Sequence, residues 1–201
     1  MDIYIWEVVK AVPTKPFGYT AFYPGPGLGG HWIPINPFYL IWKAREFEIN
    51  TKFIELAGEI NTFQPLYVVE KSIEALNKVK KSLNGSSVLI LGASYKKDID
   101  DMRESPTSKL IEIFSKKSAL VSYNDPYVPK IQKTRNYYYK IDSIDINEET
   151  IGEFDLVVLS TNHSNFDYKM IAENAQLIID TRNAFVNHNT KNNIHKAWSV
   201  I

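Results

Sequence analysis

No cysteine occurs among the 201 residues. Disulfides, thiolate metal sites and a cysteine nucleophile are therefore excluded within this chain. An excess of one charge is missing too. Lys+Arg and Asp+Glu are both 23, so the whole molecule offers no electrostatic attraction to nucleic acid or to an anionic membrane. No apolar run reaches the roughly 18 residues that cross a bilayer, and the first ten residues lack a signal-peptide layout. A cytoplasmic protein is expected. The four histidines, His31, His163, His188 and His195, show no metal-ligand spacing. What is present is ordinary globular material, 44% hydrophobic and 23% charged, enough to bury a sizeable core.

Along the chain, Ile5, Val8, Val9 and Val12 are spaced like one helix face, with Asp2 as a candidate N-cap. A loop rich in glycine and proline follows, FYPGPGLGGHWIPINP (22–37). Asn36 then reads as an N-cap with Pro37 at the first helical position. From Lys52 to Leu83 apolar residues recur at threes and fours, predicting a helix of 32 residues, kinked by Pro65 and stopped by Asn84-Gly85. Thr51 is its expected cap. Beyond Gly85 the texture changes to short apolar runs at 87–92, 119–124, 154–161 and 176–181. Helical stretches lie between them: one opened by Ser105-Pro106, a weak one at 147–153, and one capped by Asp167. Such alternation predicts βαβ units and a parallel sheet, hence an α/β fold.

Gly25, Gly27 and Gly30 satisfy G-x-G-x-x-G in letters. That fingerprint must leave a strand and open a helix against a pyrophosphate. Here Pro24 and Pro26 remove donors, and Pro34 and Pro37 prevent a helix at Gly30. A dinucleotide reading is rejected. Phe22, Tyr23, Leu28, Trp32 and Ile33 argue for a structured loop around a ligand, with Gly27, Gly29 and Gly30 offering N–H groups to anionic oxygens. The alternative is an ordinary surface loop. In the α/β part, a ligand crevice belongs at the carboxyl ends of the strands. Tyr95, Lys96 and Lys97 fall at the first such end, Asn124-Asp125-Pro126 at the second, Asn162-His163 at the third, and Asp180-Thr181-Arg182-Asn183 at the fourth. An aromatic ring with Lys and Arg suits a base plus a phosphate. The acidic run 98–104 contains Arg103 and reads as an ion-paired structural loop rather than a metal site.

Five motifs in order, FYPGPGLGGHWIPINPFYL, FIELAGEIN, GASYKKDIDDMRESP, YNDPYVP and DTRNA, resemble the UDP-glucose/GDP-mannose dehydrogenase family. The branch is similar to its UDP-N-acetylhexosamine 6-dehydrogenases. The resemblance implies that residues 1–84 are the end of a central helical, dimer-forming domain. It implies that residues 85–201 are a Rossmann-like UDP-binding domain. It also implies oxidation of a sugar C6 alcohol with NAD through a cysteine thioester. The family pattern reads G-G-x-C-x-P-x-D, and here the cysteine position is Trp32 and the aspartate position Asn36. Trp has only an indole N–H and Asn cannot act as a base. No catalytic residue is assigned.

The resemblance implies substrate-binding roles for Phe22, Tyr23, Gly25, Gly27, Gly30, Tyr95, Lys96 and Arg182, and Lys15 is a candidate for reaching across a dimer. The expected protein is a fragment of a nucleotide-sugar dehydrogenase that binds a UDP-sugar, forms a homodimer through the helix at 52–83, and is inactive alone. No NAD is expected to bind this chain by itself, and neither nucleic acid nor membrane is an expected partner. The alternatives are a structural or regulatory dimerisation module, or one half of a split enzyme whose NAD domain is a separate chain.

Overall fold

The computed structural model describes residues 4–14, 17–18, 20–131, 141–188 and 191–198. Asp2 and Lys15 lie outside them. Helix α1 (Ile5–Ala11) runs into a 3₁₀ turn (Val12–Thr14), followed by the glycine–proline loop. Helix α2 (Asn36–Arg45) is capped one residue earlier than the sequence suggests. Ile35 is the N-cap, Asn36 is already helical, and no side chain caps this end. The Trp32 carbonyl accepts from the amides of Ile35 and Asn36 instead.

Helix α3 (Lys52–Lys78) has 27 residues, shorter than the apolar spacing predicts. Lys80 takes φ +60°, and the Lys81 amide turns back to the Leu76 carbonyl, a left-handed stop of the kind that ends helices. Leu83 remains buried, so its apolar character belongs to the following turn. Thr51 precedes α3 without capping it; its hydroxyl bonds the Glu55 carboxylate. The two halves of α3 differ. Val68, Val69, Ala75 and Leu76 are buried in the sheet's core. Phe53, Leu56, Ile60 and Phe63 form an exposed stripe at i, i+3, i+7 and i+10, with Phe53 89% exposed.

The sheet contains β1 (Ser87–Leu91), β2 (Leu120–Asn124), β3 (Leu156–Leu159), β4 (Ile178–Asp180) and β5 (Ile194–Lys196) in the order β2-β1-β3-β4-β5. All pairings are parallel. Helices α4 (Pro106–Lys116), α5 (Glu148–Gly152) and α6 (Tyr168–Asn174) connect the strands. Ser105 caps α4 by accepting from the Thr107 amide, and Asp167 caps α6 by accepting from Met170. The two-residue strand period divides the core. Val88 and Ile90 face α3 and α4, while Leu89 and Leu91 face α5 and α6. Each fully buried Val or Leu contributes about 1.5–3 kcal/mol, and both sheet faces are covered, as a parallel sheet requires. Strand β5 has no forerunner in the sequence pattern: Ile194-His195-Lys196 is short, polar and only half-buried. Among the described residues no helix is long and apolar enough to cross a membrane.

This strand order matters for the site. The chain leaves β1 toward β2 on one side and returns to β3 on the other. The connections leaving the carboxyl ends of β1 and β3 therefore run to opposite sides, and the crevice over this switch point is where a doubly wound sheet accepts ligands.

A cleft at the carboxyl edge of the sheet

A cleft of about 480 Å³ opens over the carboxyl ends of β1, β3 and β4, between them, α1 and the glycine–proline loop. Tyr95, Lys96 and Lys97 enter it from the end of β1, Thr161 and Asn162 from β3, and Arg182 from β4. Trp6 and Lys10 of α1 and Tyr23 of the loop close the opposite wall. Trp6 is buried and stacks on Tyr23 at 6.0 Å between ring centroids. Four lining residues carry positive charge and none carries negative charge. No ion pair among the described residues engages Lys10, Lys96 or Lys97.

Local chemistry fixes each wall. At the end of β4, buried Asp180 accepts from the backbone amides of Arg182, Ala184 and Phe185, folding the chain back on itself. The Thr181 hydroxyl bonds the Leu159 carbonyl. Arg182, which lines the cleft, donates its Nε to the Ser160 carbonyl at 2.8 Å, and its terminal nitrogens lie beside Gly25 of the loop. Burial pushes the guanidinium down to about 10, partly offset by Asp180, so it stays charged at neutral pH. At the end of β1, Gly92 has φ +84°, and an added Cβ would stand 2.4 Å from the Thr161 carbonyl oxygen. Only glycine lets the β1 and β3 ends approach so closely.

A buried network lies beneath. Asp125 Oδ2 accepts from the amides of Ala93 and Ser94 and lies 3.0 Å from His163 Nε2. Its Oδ1 accepts from the amides of Tyr127 and Val128. Burial pushes the Asp125 carboxyl up, but the hydrogen bonds from His163 and from the Ser94, Tyr127 and Ala93 amides outweigh it, holding the group below the usual carboxylate range. The sequence places Asp125 and His163 at the ligand edge, yet both are buried and neither lines the cleft. They instead tie the ends of β1, β2 and β3 together.

The sequence-predicted residues divide into groups. Tyr23, Tyr95, Lys96 and Arg182 share the cleft. Gly25 lies against Arg182; a Cβ there would stand 2.3 Å from Nη1. Gly29 and Gly30 seat on the Tyr95 ring, and Gly27 seats on Pro106. The Gly30 amide is given to the Arg103 carbonyl at 2.8 Å, so it is not the free donor anticipated for an anion. Phe22 is 77% exposed and does not line the cleft. Trp32 is 68% exposed, edge-on to His31, and it too is absent from the lining. A second hollow of about 530 Å³, lined by Pro34, Ile35, Phe38, Tyr39 and Trp42, has no charged group for a phosphate. The acidic run closes on itself: Arg103 pairs with Asp101, and Asp98 accepts from Ser164.

The loop meets α3 at a defect in the helix. Pro65 has no N–H to give the Asn61 carbonyl, and there the Leu28 amide donates to Asn61 Oδ1 at 2.8 Å.

Comparison with known proteins agrees with this fold. Residues 1–63 match the central domain of the UDP-glucose/GDP-mannose dehydrogenase family, and residues 89–187 match its UDP-binding domain. A UDP-N-acetyl-D-mannosamine dehydrogenase of Methanococcus vannielii is 32% identical over 197 residues, 94% of this chain and 42% of that protein. The structure of a UDP-D-ManNAc dehydrogenase from Pyrococcus horikoshii superposes with TM-score 0.81 at 26% identity, covering 98% of this chain and 44% of that one. An NDP-N-acetyl-D-galactosaminuronic acid dehydrogenase from Methanosarcina mazei gives TM-score 0.82 at 25% identity, covering 100% of this chain and 45% of that one. The chain thus spans less than half the length of these relatives.

Proposed function

Since the chain belongs to the UDP-glucose/GDP-mannose dehydrogenase family, we propose that it provides the UDP-sugar-binding portion of an N-acetylhexosamine 6-dehydrogenase. The observation that carries this reading is the convergence of Tyr23, Tyr95, Lys96 and Arg182 on one cationic cleft. Aromatic walls suit a uracil face, and a guanidinium fork with ammonium groups suits a diphosphate. Gly25, Gly27 and Gly30 serve by letting the loop lie close to Arg182, Pro106 and Tyr95, which sets the cleft's width. Phe22 is assigned to the loop's outer edge. The hexosamine preference follows the names of the relatives.

The family's oxidant is NAD, and the glycines of this chain do not fit a dinucleotide. Those of the loop follow no strand and open no helix at Gly30, and the space beside them is filled by Arg182, Pro106 and Tyr95. No step is assigned through NAD to these residues. No thiol exists in the chain, and Trp32 offers only an indole N–H, so thioester chemistry is not assigned either. Isothermal calorimetry with UDP tests the binding reading. The expected result is one site of micromolar or weaker affinity. No heat and no thermal shift at millimolar UDP would remove it.

A second reading, self-association, is favoured by the stripe Phe53, Leu56, Ile60 and Phe63 on the first half of α3. Its second half is already used by the sheet. Two copies packing through this stripe would account for its exposure in one chain. Light scattering is expected to report a dimer, and Phe53→Asp/Ile60→Asp is expected to give a monomer with unchanged helix and strand content. A monomeric wild type would sink the proposal.

A further inference from the structure

His163 is fully buried in the loop after β3, with its ring 5.0 Å from Tyr127 and edge-on to Phe166 at 5.5 Å, centroid to centroid. It does not line the cleft. Its two ring nitrogens nonetheless serve one short segment. Nδ1 accepts from the backbone N–H of Asp98 at 2.9 Å. A nitrogen that accepts carries no proton, so in the neutral ring the hydrogen is on Nε2. Nε2 lies 3.0 Å from Asp125 Oδ2 and 3.2 Å from Ser94 Oγ. The Ser94 hydroxyl donates in turn to the Lys96 carbonyl at 2.8 Å, which leaves its oxygen able to accept from the ring.

The imidazole therefore holds residue 98 directly through Nδ1 and reaches residue 94 through Nε2, whose single hydrogen lies between Ser94 Oγ and Asp125 Oδ2, itself the acceptor of the Ser94 amide. Between residues 94 and 98 stand Tyr95, Lys96 and Lys97, the three residues that this end of the sheet sends into the cleft. The far anchor is conformationally strained, because Asp98 holds φ +59° without being glycine. Its carboxylate is tied to the Ser164 amide and hydroxyl, at 2.7 Å each. Ser164 follows His163 directly, so the same loop holds both the backbone and the side chain of Asp98. Packing against Tyr127 and Phe166 alone would need neither nitrogen, yet both are matched, Nδ1 to the Asp98 amide and Nε2 to Asp125 and Ser94.

We propose that His163 is a positioning residue of the nucleotide site, whose neutral ring clamps residues 94–98 and so fixes Tyr95 and Lys96 toward the ligand. The proposal rests on the UDP reading of the cleft, but its first test does not. His163→Phe keeps an aromatic ring and loses the bond from the Asp98 amide together with the Nε2 contacts to Asp125 and Ser94. Amide hydrogen exchange on the full chain without ligand should show Asp98 exchanging at least about tenfold faster, with Leu89 and Leu91 of β1 unchanged. Unaltered exchange at Asp98 overturns the clamp. Should His163→Phe not fold, Ser94→Ala removes one hydroxyl from the same bridge and is read at the Lys96–Asp98 amides with the same two outcomes. The second test is a double-mutant cycle on UDP binding. Lys96→Ala should weaken binding in the wild type and add little in the His163→Phe background, whereas full additivity overturns the proposal. If the wild type takes no UDP, the cleft reading fails and the exchange result alone decides the clamp.

Discussion

Arg182→Ala is expected to weaken UDP binding about ten- to a hundredfold. A hydrogen bond to a charged group is worth about 1.5–3 kcal/mol, and about 1.4 kcal/mol is tenfold in affinity. The Arg182 side chain is held in place before any ligand arrives. Its Nε is committed to the Ser160 carbonyl, and Asp180 fixes the turn that carries it. The terminal nitrogens therefore need little ordering on binding. Arg182→Lys should recover only part of the loss, because an ammonium keeps the charge but not the fork. The same truncation takes the charged donor from the carbonyl of buried Ser160, so a moderate loss of stability is expected beside the loss of affinity. Calorimetry on the three proteins checks this, and equal affinities would exclude Arg182 from the site.

That Arg182 can be named from the sequence follows from where it stands. Buried parallel strands are continuous Val, Ile and Leu runs, so β1, β3 and β4 are visible as SVLIL, LVVL and IID, and residues just past them fall on the ligand edge. The helix start at Ser105-Pro106 is a local signal and is found where expected. Features set by distant parts of the chain are less legible. Strand β5 has no apolar run and exists because β4 offers it an edge. The apolar rhythm overruns the end of α3 because Leu83 keeps it after the backbone has left the helix. Asn36 looks like a cap, yet the Trp32 carbonyl already turns the chain there. Asp125 and His163 are 38 residues apart, and no spacing rule joins them.

Asp125→Ala should cost on the order of 3–5 kcal/mol of folding stability, because each buried donor left without its acceptor costs about 1–3 kcal/mol. Four backbone amides and His163 lose their acceptor, and the carboxyl ends of three strands lose their tie. Asp125→Asn keeps one acceptor oxygen and should fall between the two. The depressed pKa gives a pH signature with a definite sign. In acid the unfolded chain takes up this proton before the folded one does, so stability rises with pH across that window. The contribution is fully present above the ordinary carboxylate range of about 4. It is lost as pH falls through the lower, folded value. Urea midpoints followed from neutral pH downward should drop more steeply in the wild type than in Asp125→Asn. Parallel curves would show that Asp125 is not the carboxylate responsible.

Helix α3 sets apart two ways of dividing the chain. The family's two domain matches end at residue 63 and resume at residue 89, and the interval between them holds the buried half of the helix, with Val68, Val69 and Leu76 inside the sheet's core. In this chain the residues of the UDP-binding match therefore do not by themselves cover both faces of the sheet. A sheet severed from this interval would bare the face that Val68, Val69 and Leu76 cover, so a fragment meant to fold must keep these helical turns.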